Sequence, residues 1–84
     1  MNTITKEQID AIMEASKFEV STVGKKTTVV CAILPNGFEI AESSACVDPA
    51  NYDLDTGIKI CKERIVNRVW QLEGYRLQSE LSAK

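Results

Sequence analysis

The residue types suited to ligand chemistry gather in two places. Arg64, Arg68, Gln71 and Tyr75 follow i, i+4, i+7, i+11 spacing, with Asn67 alongside. On a helix this spacing makes a ladder of donors with an aromatic at one end. Guanidinium groups bind phosphate bidentately and stack on bases, and the Asn and Gln amides offer a base edge both donors and an acceptor. The ladder suits a small nucleotide or another phosphorylated ligand; the same spacing also describes an ordinary solvated helix face. The second place is the run Ser43-Ser44-Ala45-Cys46-Val47-Asp48-Pro49-Ala50-Asn51-Tyr52. It sets hydroxyls, an amide and a phenol ahead of a helix start, where free N–H groups favour anions. Asp53 and Asp55 oppose that reading with their own charge, and Ser43, Ser44 and Asp48 also fit plain roles as edge-strand surface and cap. The candidate ligand-binding residues are Arg64, Arg68, Asn67, Asn51, Tyr52 and Ser44.

Composition narrows the chemistry. The chain has no histidine, which removes His-based acid–base catalysis, Cys-His or Ser-His-Asp nucleophile activation and mixed His/Cys zinc sites. No catalytic residue, metal ligand set or cofactor is expected. Cys31, Cys46 and Cys61 form no CxxC pair, and an odd number cannot pair fully within one chain; they are expected to be reduced and buried as small apolar residues. The formal net charge of −2 argues against general nucleic-acid binding. The charge is uneven. Residues 1–57 carry four lysines against nine acids, and residues 58–84 carry six basic residues against three acids, so the C-terminal third offers a local cationic surface to an anionic partner.

These residues need elements to hold them. At 84 residues the chain makes one domain, 1–84, with a marginal core. A helix over Lys6–Ser16 is expected from a Thr5/Gln8 capping box and an Ile4/Ile9 staple, with Ile9, Ile12 and Met13 as its apolar stripe. Phe18–Val23, Thr27–Leu34 and Phe38–Cys46 read as three antiparallel strands joined at Gly24-Lys25-Lys26 and Pro35-Asn36-Gly37. Lys25 and Lys26 read as a solvated turn. The middle strand is apolar on both faces and is expected to be covered twice. Asp48-Pro49 reads as a cap and first helical residue, Asn51 and Tyr52 as a separate turn, and Leu54–Leu81 as one long helix interrupted in propensity at Gly57 and Gly74. The fold class is α+β.

The long helix has two apolar seams. Leu54, Ile58, Cys61, Ile65, Val69 and Leu72 form one; Val66, Trp70, Leu77 and Leu81 form the other, about 100° away. A single sheet needs a narrower arc than this, so the second seam calls for another copy of the chain, and Gly74 lets a second backbone approach. Trp70 reads as core. The run Met1–Glu7 lacks a charged n-region followed by an apolar h-region, and no apolar run is long enough to cross a bilayer; a cytoplasmic protein without membrane contact is expected.

Several blocks resemble a known family. These are Leu34–Phe38, Glu42–Asp53, Gly57-Ile58 with Cys61, and Trp70-Gln71-Leu72-Glu73-Gly74-Tyr75. Across about Thr27 to Gln78 the chain resembles a family of small conserved proteins of tailed bacteriophages and prophages. A small phage protein with a β-meander and an oligomerising helix is in turn similar to the immune-evasion sponges. Those sequester the cyclic nucleotide signals of CBASS and Thoeris defences between protomers, with arginines on phosphates and aromatics on bases, and do not cleave them. The resemblance implies a non-enzymatic homo-oligomer in the host cytoplasm that binds a small nucleotide. Two other functions suit the sequence: a module that inhibits a host enzyme by contact, and a structural or assembly accessory protein. The cysteine spacing and the expected cytosolic setting together predict that thiol titration of the unfolded, unreduced chain will count three free thiols; a count of one would mean that two have paired.

Overall fold

In a computed structural model describing residues 2–84, the chain forms helix α1 (Lys6–Ala15), strands β1 (Lys17–Val23), β2 (Thr27–Ile33) and β3 (Glu39–Ala45), a 3₁₀ turn (Pro49–Asn51) and helix α2 (Leu54–Ser82). The expected α+β class and element order are present. The Thr5 hydroxyl accepts from the Gln8 N–H and the Gln8 side chain accepts from the Thr5 N–H, so the capping box is formed. The helix ends one residue earlier than the pattern suggested, because Ser16 turns to extended backbone.

The sheet is antiparallel in the order β1-β2-β3. Gly24 and Gly37 take φ of +67° and +92°, the left-handed region that short hairpin turns require. The Leu34 N–H donates to the Phe38 carbonyl and the Gly37 N–H to the Leu34 carbonyl, both at 2.8 Å, which closes the second hairpin. Register places Phe18, Ala32 and Ile40 in one row, Val20, Val30 and Glu42 in the next, and Thr22, Thr28 and Ser44 in a third. All three rows face α2, which packs on β2 and β3.

The core joins Ile9, Val30, Ala32, Leu34, Ile40, Cys61, Ile65 and Val69. The α2 residues buried in the protein are Gly57, Cys61, Ile65 and Val69, one row at i+4 steps. Leu54 and Leu72, expected in that row, are 42% and 40% exposed. Leu54 is the first residue of the helix, and Leu72 borders an open hollow beside Ile12, Leu34 and Phe38, so neither is closed over. A second correction concerns β2. Thr28, Val30 and Ala32 are fully buried under α2, but Val29, Cys31 and Ile33 on the other face are only half-buried. One helix can cover only one face. The cysteines follow the same division: Cys61 is buried, while Cys31 and Cys46 are half-buried, and all three are free.

Gly57 fixes how closely α2 approaches the sheet. A Cβ built there would overlap Thr28 Oγ1 and stand 2.7 Å from Thr28 Cβ. An exposed helical Gly→Ala change normally gains about 1 kcal/mol. Here overpacking outweighs it, at about 1–3 kcal/mol, against a residue that a row of hydrogen bonds holds in place. Gly57→Ala is therefore expected to lower the melting temperature, and Thr28→Ala in the same chain to recover part of the loss; a Gly57→Ala protein that melts higher than the parent would contradict the contact.

Candidate functional site

The strand-to-helix junction is built from the chain upward. The Asp48 carboxylate accepts from the Ala50 N–H at 2.9 Å and caps the 3₁₀ turn, with Pro49 at its first position. The Tyr52 N–H closes the turn on the Pro49 carbonyl. Asp53 then caps α2, accepting from the Asp55 N–H at 3.0 Å and the Thr56 hydroxyl at 2.9 Å. The Thr56 hydroxyl bond is the main cause that holds the Asp53 carboxyl below its ordinary value of 3.8. Two caps so close together leave the connection little freedom, and it aims Tyr52 back over the sheet.

The Tyr52 hydroxyl lies 2.8 Å from Thr28 Oγ1 and 2.9 Å from Thr22 Oγ1. Thr28 is the buried polar side chain of the core, and a buried hydroxyl without a partner is expensive. Tyr52 supplies the partner and ties the junction to β1 and β2 together.

Beside this bridge lies a cavity of about 310 Å³ lined by Lys26, Thr28, Ser44, Asn51, Tyr52 and Thr56, floored by Gly57 and Ile60. Three of the six sequence-derived candidates, Ser44, Asn51 and Tyr52, therefore converge on it. Lys26 brings an ammonium to the wall and donates to the Val47 carbonyl at 2.8 Å. Asp53 and Cys46 also line it, and Cys46 Sγ lies 3.2 Å from the Asp48 carbonyl. A cation, hydroxyls, an amide and an aromatic ring thus surround a space suited to a polar ligand of modest size.

The arginines lie farther along the same edge of the molecule. Arg64, one turn beyond Ile60, donates from Nη1 to the Ser43 carbonyl. It thereby occupies a backbone group that an edge strand would otherwise leave open. Arg68 Nη1 is 3.3 Å from Glu42 Oε2, with both side chains in contact with solvent. Glu42 already takes part of the charge that Arg68 would offer a phosphate. Asn67 does not join them. It lines a shallow groove with Ile58, Lys59, Lys62, Glu63 and Val66 on a different flank of α2. Tyr75 stands 77% exposed, well past the arginines. The ladder read from spacing is thus divided: Arg64 and Arg68 flank β3, and Asn67 faces away.

Lys26, Thr28, Thr56 and Gly57 were not singled out as site residues by the sequence. Lys26 reads as a turn lysine because nothing local shows that β2–β3 pairing carries it to the junction, where the Cys46 N–H donates to its carbonyl at 3.2 Å. The i+4 row from Gly57 to Cys61 and Ile65 was the available signal for Gly57. Among the described residues no group of three or more acidic or cysteine side chains gathers as a metal site would, and no helix is long and apolar enough to cross a membrane.

This is a small α+β protein with a cavity at its strand-to-helix junction. It belongs to the Phage protein (N4 Gp49/phage Sf6 gene 66) family, whose model matches residues 4–81 and so spans both the junction and the arginine-bearing helix. No curated protein and no solved structure matches the chain. Tyr52→Phe should lower stability by about 1–2 kcal/mol, since it strands the buried Thr28 hydroxyl. Chemical denaturation measures this; an unchanged midpoint would show that the two hydroxyl contacts contribute nothing.

Proposed function

We propose that the protein is a phage-encoded, non-enzymatic binding protein that sequesters a cyclic nucleotide or a related phosphorylated immune signal, a sponge of the anti-CBASS or anti-Thoeris type. It works as a homo-oligomer in the host cytoplasm, with neither a membrane nor bulk nucleic acid as partner. Membership of the phage family supports the viral setting. The observation that carries the ligand reading is the junction cavity, where Lys26, Ser44, Asn51 and Tyr52 meet in one space with Arg64 next along the edge. Lysine and arginine match phosphate charge, the amide and hydroxyls match a base or ribose edge, and the phenol ring offers a stacking face. The absence of histidine suits retention of the ligand better than its cleavage.

A second reading has its own observation. An apolar hollow of about 370 Å³ lies between Ile12 of α1, Leu34 and Phe38 of the second hairpin, and Val69 and Leu72 of α2, and Phe38 is 49% exposed there. That surface suits contact with a host protein, as an inhibitor by binding would make.

Calorimetric titration with cyclic dinucleotides, cyclic trinucleotides and cyclic ADP-ribose isomers separates the two. At least one should bind and be recovered intact after denaturation. Arg64→Ala and Lys26→Ala should each weaken it by roughly 10- to 100-fold, the equivalent of a charged hydrogen bond at about 1.5–3 kcal/mol, while Lys25→Ala, in the exposed turn, changes little. Failure of the unmutated protein to bind any of them removes the sponge reading in favour of the protein-contact one. Recovery of a hydrolysed ligand would overturn the non-enzymatic assignment.

A further inference from the structure

We infer that two copies of the chain pair through the outward flank of α2, antiparallel, with Trp70 of each packed over Gly74 of the other. The inference rests on the reading of the protein as a homo-oligomer and is independent of what the junction binds. Helix α2 runs to Ser82, yet its last fully buried residue is Val69; beyond it Leu77 and Leu81 are only partly covered. At 1.5 Å per residue it is about 43 Å long, whereas seven-residue strands reach only about 23 Å, and the molecule is 54 Å along its greatest extent against 20 and 19 Å across. A helical end that buries so little is marginal by itself.

The flank it presents is shaped for a helix. Trp70, Gly74, Leu77 and Leu81 lie about 120° to 180° round the axis from the buried Ile65 at 100° per residue. Trp70 is 37% exposed. Nothing stands within 4 Å of the position a Gly74 Cβ would take, so the glycine serves no packing need within one protomer. The groove nearer the N-terminus is formed by Lys59, Lys62, Glu63 and Val66 with Ile58 and Asn67. Its first four residues stand at i, i+3, i+4 and i+7, the spacing of a hole that receives a side-chain knob from a facing helix.

Charge selects the partner and its direction. Residues 58–68 carry Lys59, Lys62, Arg64 and Arg68 against one acid, Glu63, whereas residues 69–82 carry Glu73 and Glu80 against one base, Arg76. Arg76 reaches both acids, at 3.2 and 2.9 Å, and this half still remains acidic. Antiparallel pairing sets the basic half of each helix against the acidic half of the other, and opposes the helix dipoles as well. Parallel pairing would stack like on like. An antiparallel arrangement is also self-complementary about a two-fold axis, so it closes as a dimer and presents no further unpaired flank.

The test needs no ligand. Light scattering of the full chain at micromolar concentration should give twice the 9.3 kDa of one copy or an even multiple of it. Zero-length carbodiimide cross-linking with peptide mass spectrometry should then yield Lys62–Glu80 and Lys59–Glu80 links. Within one helix those pairs are separated by about 27 and 31 Å along the axis, beyond the reach of such a link, so each must join two copies. Gly74→Leu, whose Cβ meets nothing within 4 Å in one copy, should leave the far-ultraviolet circular dichroism intact and weaken association at least tenfold, and Trp70→Glu should do the same. A 9.3 kDa monomer overturns the inference, as does an oligomer that yields neither link or keeps its full mass in both variants.

Discussion

The architecture depends on one close approach, that of Gly57 to Thr28. Because position 57 has no side chain, α2 can lie directly on the hydroxyl end of the sheet. That contact fixes both the height of the helix and its rotation. With Gly57 facing inward, i+4 steps deliver Cys61, Ile65 and Val69 to the core. Rotation then assigns every other α2 residue to a side: Arg64 and Arg68 to the β3 edge, Lys62 to the Phe18 ring at 4.6 Å, and Trp70 to the outside. The approach also seals Thr28 from water, which obliges the chain to bring it a partner. Tyr52 meets that obligation, and in doing so it fixes the junction around which the cavity forms.

The cavity and the arginine edge are thus two parts of one surface, joined through Ile60 and Ser44. Their electrostatics differ. Lys26 donates one bond to the protein, to a neutral carbonyl, and that bond leaves its charge unneutralised. Arg64 is likewise spent on a carbonyl, and only Arg68 is paired with an acid. Asp53 contributes negative charge at the wall, held ionised by its Thr56 bond. On the proposed reading, an anionic ligand would turn its charge toward Lys26 and Arg64 and away from Asp53.

The single chain covers little of its own apolar surface. Its single helix covers one face of a three-stranded sheet, leaving Val29, Cys31 and Ile33 half-buried on the other. Cys31 shows the character of that open face: desolvation and the neighbouring Glu39 and Glu19 carboxylates raise its thiol above the ordinary value of 9.0, so it is held as a neutral thiol. A domain of this size gains limited stability from its own core, and association is a general remedy. The overlong helix and the uncovered sheet face are the two surfaces on which such association can draw.

Local sequence determined the elements. The capping box at Thr5, the turn glycines 24 and 37, the β-branched run of β2 and the Asp48-Pro49 and Asp53 caps each act within a few residues, and each element formed within one or two residues of its expected ends. The phage family was legible as well, because its marks are contiguous blocks. Tertiary structure alone decided the rest. Apolar periodicity gave α2 two seams but could not say that Gly57, a residue with no hydrophobic signal, would set the inward face while Leu54 and Leu72 were not closed over. Spacing grouped Asn67 with Arg64 and Arg68, but the sheet lies against one side of the helix only, so Asn67 was turned away from it. Lys26 reached the junction through strand register, and Thr28 became a buried hydroxyl only when a helix closed over it. Caps and turns are interactions between neighbours in sequence; a site made from residues 26, 44, 52 and 57 depends on contacts that no neighbour encodes.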